Sequence, residues 1–337
     1  MTAPRTVDVH AHALMRGAEQ LVQGEPGWAA ELALQARWNG AESTRRNVDL
    51  FVNAYLPMLT DVSKRLAAMD GMNVDVQAVS VSPTQYHYWA EPDLAERFVR
   101  RANEELAELC ASRPERLVGL GTVSLQHPGL AAGQLEFASA ELGLRGVQIS
   151  TRVGDAELDD PRFEPFWAKA EEVGALVFIH PLGCTLGERL ATHYLSNVIG
   201  QPTETTIALA RLIFGGVLDR HPRLRVCAAH GGGYLPHYIG RFEHAYRVRP
   251  ESRTMKRRPR EYLERIWFDS LVYEPSVLHN LVAEVGAAQV VLGTDYPFDM
   301  GVDDPMARLR SVAGLSSDDI DRISGGNAAR LLRLDPH

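Results

Sequence analysis

Eight short apolar runs, each followed by a stretch patterned as a helix, constrain this chain more than any other feature of its 337 residues. The runs fall at 6–13, 74–81, 117–123, 146–149, 175–180, 224–229, 266–270 and 289–294. Helices are predicted between them at 61–71, 93–111, 129–142, 161–173, 203–220, 234–248 and 275–285, and after them at 304–312 and 318–333. Such alternation calls for parallel βαβ units. Eight of them favour an α/β fold closed into a (β/α)8 TIM barrel. Neither a GxGxxG nor a P-loop supports an open doubly wound sheet. The chain, 1–337, reads as one barrel domain with C-terminal helices. An insertion at 14–60 follows strand 1, with a short helix expected near 29–38. Long βα loops in barrels tend to be functional, so it is read either as a lid or substrate wall or as packing over the barrel rim. Gly71 and Gly174 are expected to end their helices.

Charge and cysteine usage narrow the function. The net charge of −8 argues against general binding to nucleic acid or an anionic membrane. It leaves a small anionic substrate open. No run reaches the ~20 apolar residues of a membrane span, and 1–6 has no apolar leader core. Cys110, Cys184 and Cys227 are widely spaced with no CxxC, which fits a reducing compartment and suggests neither a disulfide framework nor a thiolate zinc site. The reading is a cytoplasmic protein. The basic run from Arg247 to Arg260 is expected to be a solvated loop, with anion steering the lesser alternative.

Chemistry-bearing side chains gather at the ends of four runs. Val7-Asp8-Val9-His10-Ala11-His12 carries two histidines at i and i+2, which a strand directs to one side. The fifth run ends at His180, the sixth leads into His230 and the eighth into Asp295. The C-terminal ends of strands 1, 5 and 8 surround one central cavity in a barrel. His10, His12, His180 and Asp295 there would hold Zn2+, Mn2+ or Fe2+, and are ill suited to Ca2+ or Mg2+. The only lysines, Lys64, Lys169 and Lys256, are not at strand ends, so a lysine-bridged pair of metals is not expected. His230, followed by Gly231-Gly232-Gly233, is read as a general acid/base beside the ion, with a fifth ligand as the alternative. Asp8 would orient a ligand or simply bond the strand end. Tyr86, His87, Tyr88 and Trp89 would line the cavity mouth or pack their own loop.

These residues resemble a family. His10-Ala11-His12, Phe178-Ile179-His180-Pro181, Ala229-His230-Gly231-Gly232-Gly233 and Leu292-Gly293-Thr294-Asp295-Tyr296-Pro297-Phe298 look like the amidohydrolase superfamily. More narrowly they resemble its branch of aminocarboxymuconate semialdehyde decarboxylases and γ-resorcylate and 5-carboxyvanillate decarboxylases. Gly119-Leu120-Gly121-Thr122, Gly146-Val147-Gln148-Ile149 and Pro202-Thr203-Glu204-Thr205-Thr206 fit the same branch. The resemblance implies one metal ion, zinc first and manganese next, held by His10, His12, His180 and Asp295, with His230 catalytic. It also implies that Arg241 binds a substrate carboxylate across a homodimer interface, a task suited to guanidinium geometry. The chain departs from the semialdehyde decarboxylases in three places. An ungapped count puts Leu56 where they carry a second substrate arginine, and Arg45 and Arg46 fill that position only across a gap. Leu182 follows His180-Pro181 in place of tryptophan. Tyr194 stands for a tryptophan further into that loop and is read as substrate-binding.

The function expected is non-oxidative, metal-dependent decarboxylation of a small unsaturated or aromatic carboxylic acid, with His230 and Asp295 handling protons. The same cluster could also hydrolyse an amide, ester or lactone, or hydrate a double bond. A non-catalytic metal-binding barrel is the alternative of another class.

Overall fold

Each apolar run has two faces to bury, and a closed barrel wrapped in helices buries both. The computed structural model describes residues 5–334, so residues 1–4 of the segment read as lacking a leader, and 335–337, lie outside it. The barrel strands are β1 (Val7–Ala13), β2 (Val76–Val81), β3 (Leu117–Gly121), β4 (Gly146–Ile149), β5 (Leu176–Ile179), β6 (Arg225–Ala228), β7 (Ile266–Asp269) and β8 (Val290–Val291). Each pairs in parallel with the next. The closing seam is irregular. Val9 N donates to Leu292 O at 2.9 Å, Asp295 N to His10 O at 2.8 Å and His12 N to Tyr296 O at 2.8 Å. The run predicted at 289–294 is therefore a strand over two residues only, after which the chain follows β1 without a regular ladder.

A bulge in β1 decides where the first two histidines point. Val7 and Val9 pack inside the barrel with Phe178 and Cys227. Ala11 and Ala13 pack outside it with Met69 and Phe98. Strict alternation from Val7 would therefore turn His10 and His12 outward. The register against β2 shifts between Asp8 and Ala11, which reverses the phase and turns both imidazoles inward. Two-residue spacing keeps the pair on one face, and the bulge makes it the inner one.

The helices follow their caps and stripes. Asp61 caps Val62–Gly71 by accepting from Ser63 N at 2.8 Å. That helix runs through Gly71, contrary to the expected cap; it ends at Met72, and Asn73 takes the left-handed turn at φ 55°. Pro92–Ala111 buries Ala95, Phe98, Val99, Ala102 and Leu106 on one stripe. Gly174, at φ 62°, ends Glu164–Val173 as expected. The helix predicted at 203–220 divides into Gln201–Phe214 and Val217–Arg220, because Gly216 turns left-handed at φ 71°. The predicted short helix near 29–38 lies in the first half of a 25-residue helix, Pro26–Leu50, kinked at Gly40 and preceded by Arg16–Val22. The basic segment is more ordered than a free loop: it forms two 3-10 turns, and Met255 and Pro259 are buried. Among the described residues no helix is long and apolar enough to cross a membrane.

Candidate metal centre and active-site cavity

Three strand ends, those of β1, β5 and β8, deliver His10, His12, His180 and Asp295 to one point. One ligand atom from each lies within 4.8 Å of all the others, and all four residues are buried. Asp295 Oδ1 stands 3.3 Å from His10 Nε2 and 3.2 Å from His12 Nε2. Both nitrogens of His180, Nε2 of His10 and of His12, and Oδ1 of Asp295 are buried with no hydrogen-bond partner among the described residues. Orphaned buried polar atoms are rare and need an explanation. These point at each other, as ligands around a cation do. None of the three lysines lies near: Lys169, for instance, pairs with Glu136 and Glu172 on the outer helices.

Neighbouring groups fix the ligands. His10 Nδ1 lies 2.6 Å from Asp269 Oδ2 at the end of β7. A carboxylate only accepts, so Nδ1 carries the proton and Nε2 faces the cluster. Asp269 also accepts from the backbone N–H groups of His230 (3.0 Å), Gly231 (2.7 Å) and Leu271 (3.1 Å). The sequence reading assigned Asp269 no role. Its signal was the shared pattern of an apolar run ending in a ligand-type side chain, Ile266-Trp267-Phe268-Asp269. His12 Nδ1 lies 3.2 Å from Ser80 Oγ, which donates to Gln148 Oε1 at 2.6 Å. Asp8 acts on backbone rather than on a ligand ring: it accepts from His10 N, Thr294 N, Thr294 Oγ1 and Gln77 Nε2.

Electrostatics favour positive charge at the centre. Burial opposes a charge on His10, yet Asp295 and Asp269 push its pKa up to about 10. Burial pulls His12 down and His180 well down. Burial would raise Asp295, but His10 above all holds it well below the usual carboxylate range. A divalent cation supplies the charge that the two buried carboxylates demand, and leaves the imidazoles free to be neutral ligands. The donor set therefore fits such an ion.

His230 stands beside the four. Its Nε2 is 3.9 Å from Asp295 Oδ2, and its ring centre is 5.2 Å from that of His10 and 5.0 Å from that of His180. Its backbone is held at φ 54°, a region costly for a residue with a side chain, by the Asp269 carboxylate beneath it. Asp295 is similarly at φ 60°.

A cavity of about 620 Å³ opens from His180 and Asp295 beneath the insertion. Tyr194 and Leu56 line it, and so does His87. Tyr86 turns inward and donates to His180 O at 2.9 Å, and Trp89 bonds Glu31 at 2.8 Å. Arg45 and Arg46 do not line it; Arg46 pairs with Asp49 on the surface. Arg241 is exposed on the outer helix Leu235–Val248, away from this cavity of its own chain.

The chain belongs to the amidohydrolase family, whose profile matches residues 7–334. It is 35% identical over 338 residues to the 2-amino-3-carboxymuconate-6-semialdehyde decarboxylase of Dictyostelium discoideum, covering 98% of this chain and 92% of that one. The fold matches the 5-carboxyvanillate decarboxylase of Sphingomonas paucimobilis with a TM-score of 0.83 at 25% identity, over 99% of this chain and 100% of that one. It also matches the 5-carboxyvanillate decarboxylase of Novosphingobium aromaticivorans, at a TM-score of 0.84 and 22% identity over 98% and 96%. That structure holds manganese and 4-hydroxy-3-methoxy-5-nitrobenzoic acid.

Proposed function

We propose that this chain is a metal-dependent, non-oxidative decarboxylase of an unsaturated or aromatic carboxylic acid. The observation that carries the reading is the convergence of orphaned atoms from His10, His12, His180 and Asp295, with His230 alongside. Relatives that are decarboxylases by name support the reaction type. The four residues would hold one divalent ion, zinc first and manganese next, and three imidazoles with one carboxylate suit both. When bound, the ion supplies Lewis-acid attraction for the substrate carboxylate and a neighbouring oxygen. Protons are the work of the chain. His230 and Asp295, 3.9 Å apart, would deliver one to the carbon bearing the carboxylate. The C–CO2 bond then breaks, its electron pair returns to the ring or diene, and CO2 leaves. Tyr194, on the cavity wall, would contact the body of the substrate.

The working unit proposed is a homodimer in a cytoplasmic setting. Tyr234, Tyr238 and Arg241 follow one another at i, i+4 and i+7. Both tyrosines are exposed, at 41% and 64%, beside exposed Val198 and Ile199. An apolar stripe ending in a guanidinium that is unpaired among the described residues supports a second copy as its cover, with Arg241 reaching the substrate carboxylate of the partner.

The test is metal analysis with product analysis. One metal per chain and stoichiometric CO2 from a substrate acid are expected, with metal retained and CO2 release lost in His230→Asn. Two fragments, or addition of water, would assign hydrolysis or hydration instead. Mixing inactive His10→Ala with inactive Arg241→Gln should restore activity in hybrid dimers if Arg241 acts across the interface.

A further inference from the structure

The space under the insertion exceeds what a single-ring acid needs. It falls within the range of about 300–1,000 Å³ that holds drug-sized ligands. The roof is seated rather than loose. Gly27 lies against the Trp89 ring and Gly183 against the Trp38 ring, so closely that a Cβ on either would overlap the indole. Those contacts fix the insertion to the loops after β2 and β5 while holding it off the barrel mouth. No residue of Pro26–Leu50 is buried, so the roof does not fill the space beneath it.

The chemistry of the walls says what belongs there. Glu19 and Glu31 are spent on His87, and on the indole N–H groups of Trp28 and Trp89. The remaining free charges are opposite: Arg16 at the outer end and Asp299 near the floor, neither ion-paired among the described residues. They give no excess positive charge for a second carboxylate. What the roof offers instead is amides. Gln35 and Asn47 are half-buried on the cavity wall, and no hydrogen bond engages either side chain among the described residues. Trp28 and Trp38 line the same cavity. Unpartnered amides beside aromatic side chains suit an uncharged, hydrogen-bonding, ring-bearing group.

We infer that the acid taken by this site carries, beyond the reacting ring, an uncharged hydrogen-bonding extension such as an aryl amide, seated beneath the insertion. The inference rests on the decarboxylase reading for the reacting end and adds the distal end. The test is calorimetric titration of manganese-loaded protein with three acids: 2-hydroxybenzoate, 4-benzamido-2-hydroxybenzoate and 2-hydroxyterephthalate. The benzamido acid should bind about tenfold or more tightly than its parent. Gln35→Leu with Asn47→Leu should abolish that gain and leave the parent's Kd unchanged. Equal affinity for the parent and the extended acid overturns the inference and spares the decarboxylase reading. So does tighter binding of the terephthalate that is lost in Arg16→Gln. If no acid binds the metal-loaded protein, the decarboxylase reading falls and the inference with it.

Discussion

At the scale of single residues, the site separates groups that could meet a metal from groups that make them able to. Asp269 belongs to the second kind. One carboxylate accepts the His10 ring N–H on Oδ2 and tethers the His230 turn through two backbone N–H groups. Asp269→Asn leaves one accepting oxygen for these donors and sets an amide donor against another. The expected outcome is a folded protein whose metal affinity falls about 10–100-fold, measured by competition with a chelating dye. An unchanged affinity would mean that His10 is oriented by something else. The residues that could hold an ion were legible because His10 and His12 are two apart, and because His180 and Asp295 follow apolar runs. Asp269 ends a run in the same way, but its task depends on β7 lying two strands from β1 around the barrel. That adjacency exists only after closure. Ser80 and Gln148 were hidden for the same reason.

At the scale of elements, the insertion is where sequence patterning said least. A helix announces itself by an apolar stripe that packing requires, and Pro26–Leu50 buries no residue at all. Its length was therefore unreadable, although its place after strand 1 was plain. Beside the glycine–indole contacts, what docks it is a polar cluster. His87 lies between Glu31 (2.9 Å) and Glu19 (3.1 Å), joined by Trp28, Trp89 and Gln85. Burial opposes its charge, but the two carboxylates push its pKa up to about 9 from 6.5. A raised pKa means that the charged form stabilises the docked roof. That contribution is complete below pH 6.5 and is lost as pH rises through about 9. Hydrogen exchange across 16–50 should therefore speed up on raising the pH over that window, beyond the ordinary chemical dependence seen in the barrel helices. In His87→Gln the segment should exchange quickly throughout and lose this additional pH response. A wild-type segment that keeps its protection above pH 9 would assign the docking to the glycine–indole contacts alone.

At the scale of the whole molecule, the candidate ligands span the irregular closing seam of the barrel. Eight apolar runs implied closure, but nothing in them revealed that β8 contributes only two ladder residues. The seam relies on the Asp8 carboxylate, which binds the backbone of His10 on one side and of Thr294 on the other. Burial raises the pKa of Asp8, and Gln77 links it to the buried guanidinium of Arg65, which in turn donates to His12 O. A bound ion would join the same edges a second time, through His10 and His12 of β1 and Asp295 just after β8, and anchor them to His180 across the mouth. Metal and fold should then be coupled by mass action. At free metal about 100-fold above Kd the native state gains about 2.7 kcal/mol. With an unfolding entropy of about 2.1 cal/mol/K per residue, a chain of this length should melt about 4 °C lower once stripped by chelator. Asp295→Asn should show almost none of that metal-dependent shift. Asp8→Asn retains the four ligands but loses an acceptor at the seam, so it should melt lower both with and without metal while still responding to it. A wild-type melting temperature indifferent to chelation would mean that the barrel closes without help from the ion, and that the backbone bonds and Asp8 hold the seam.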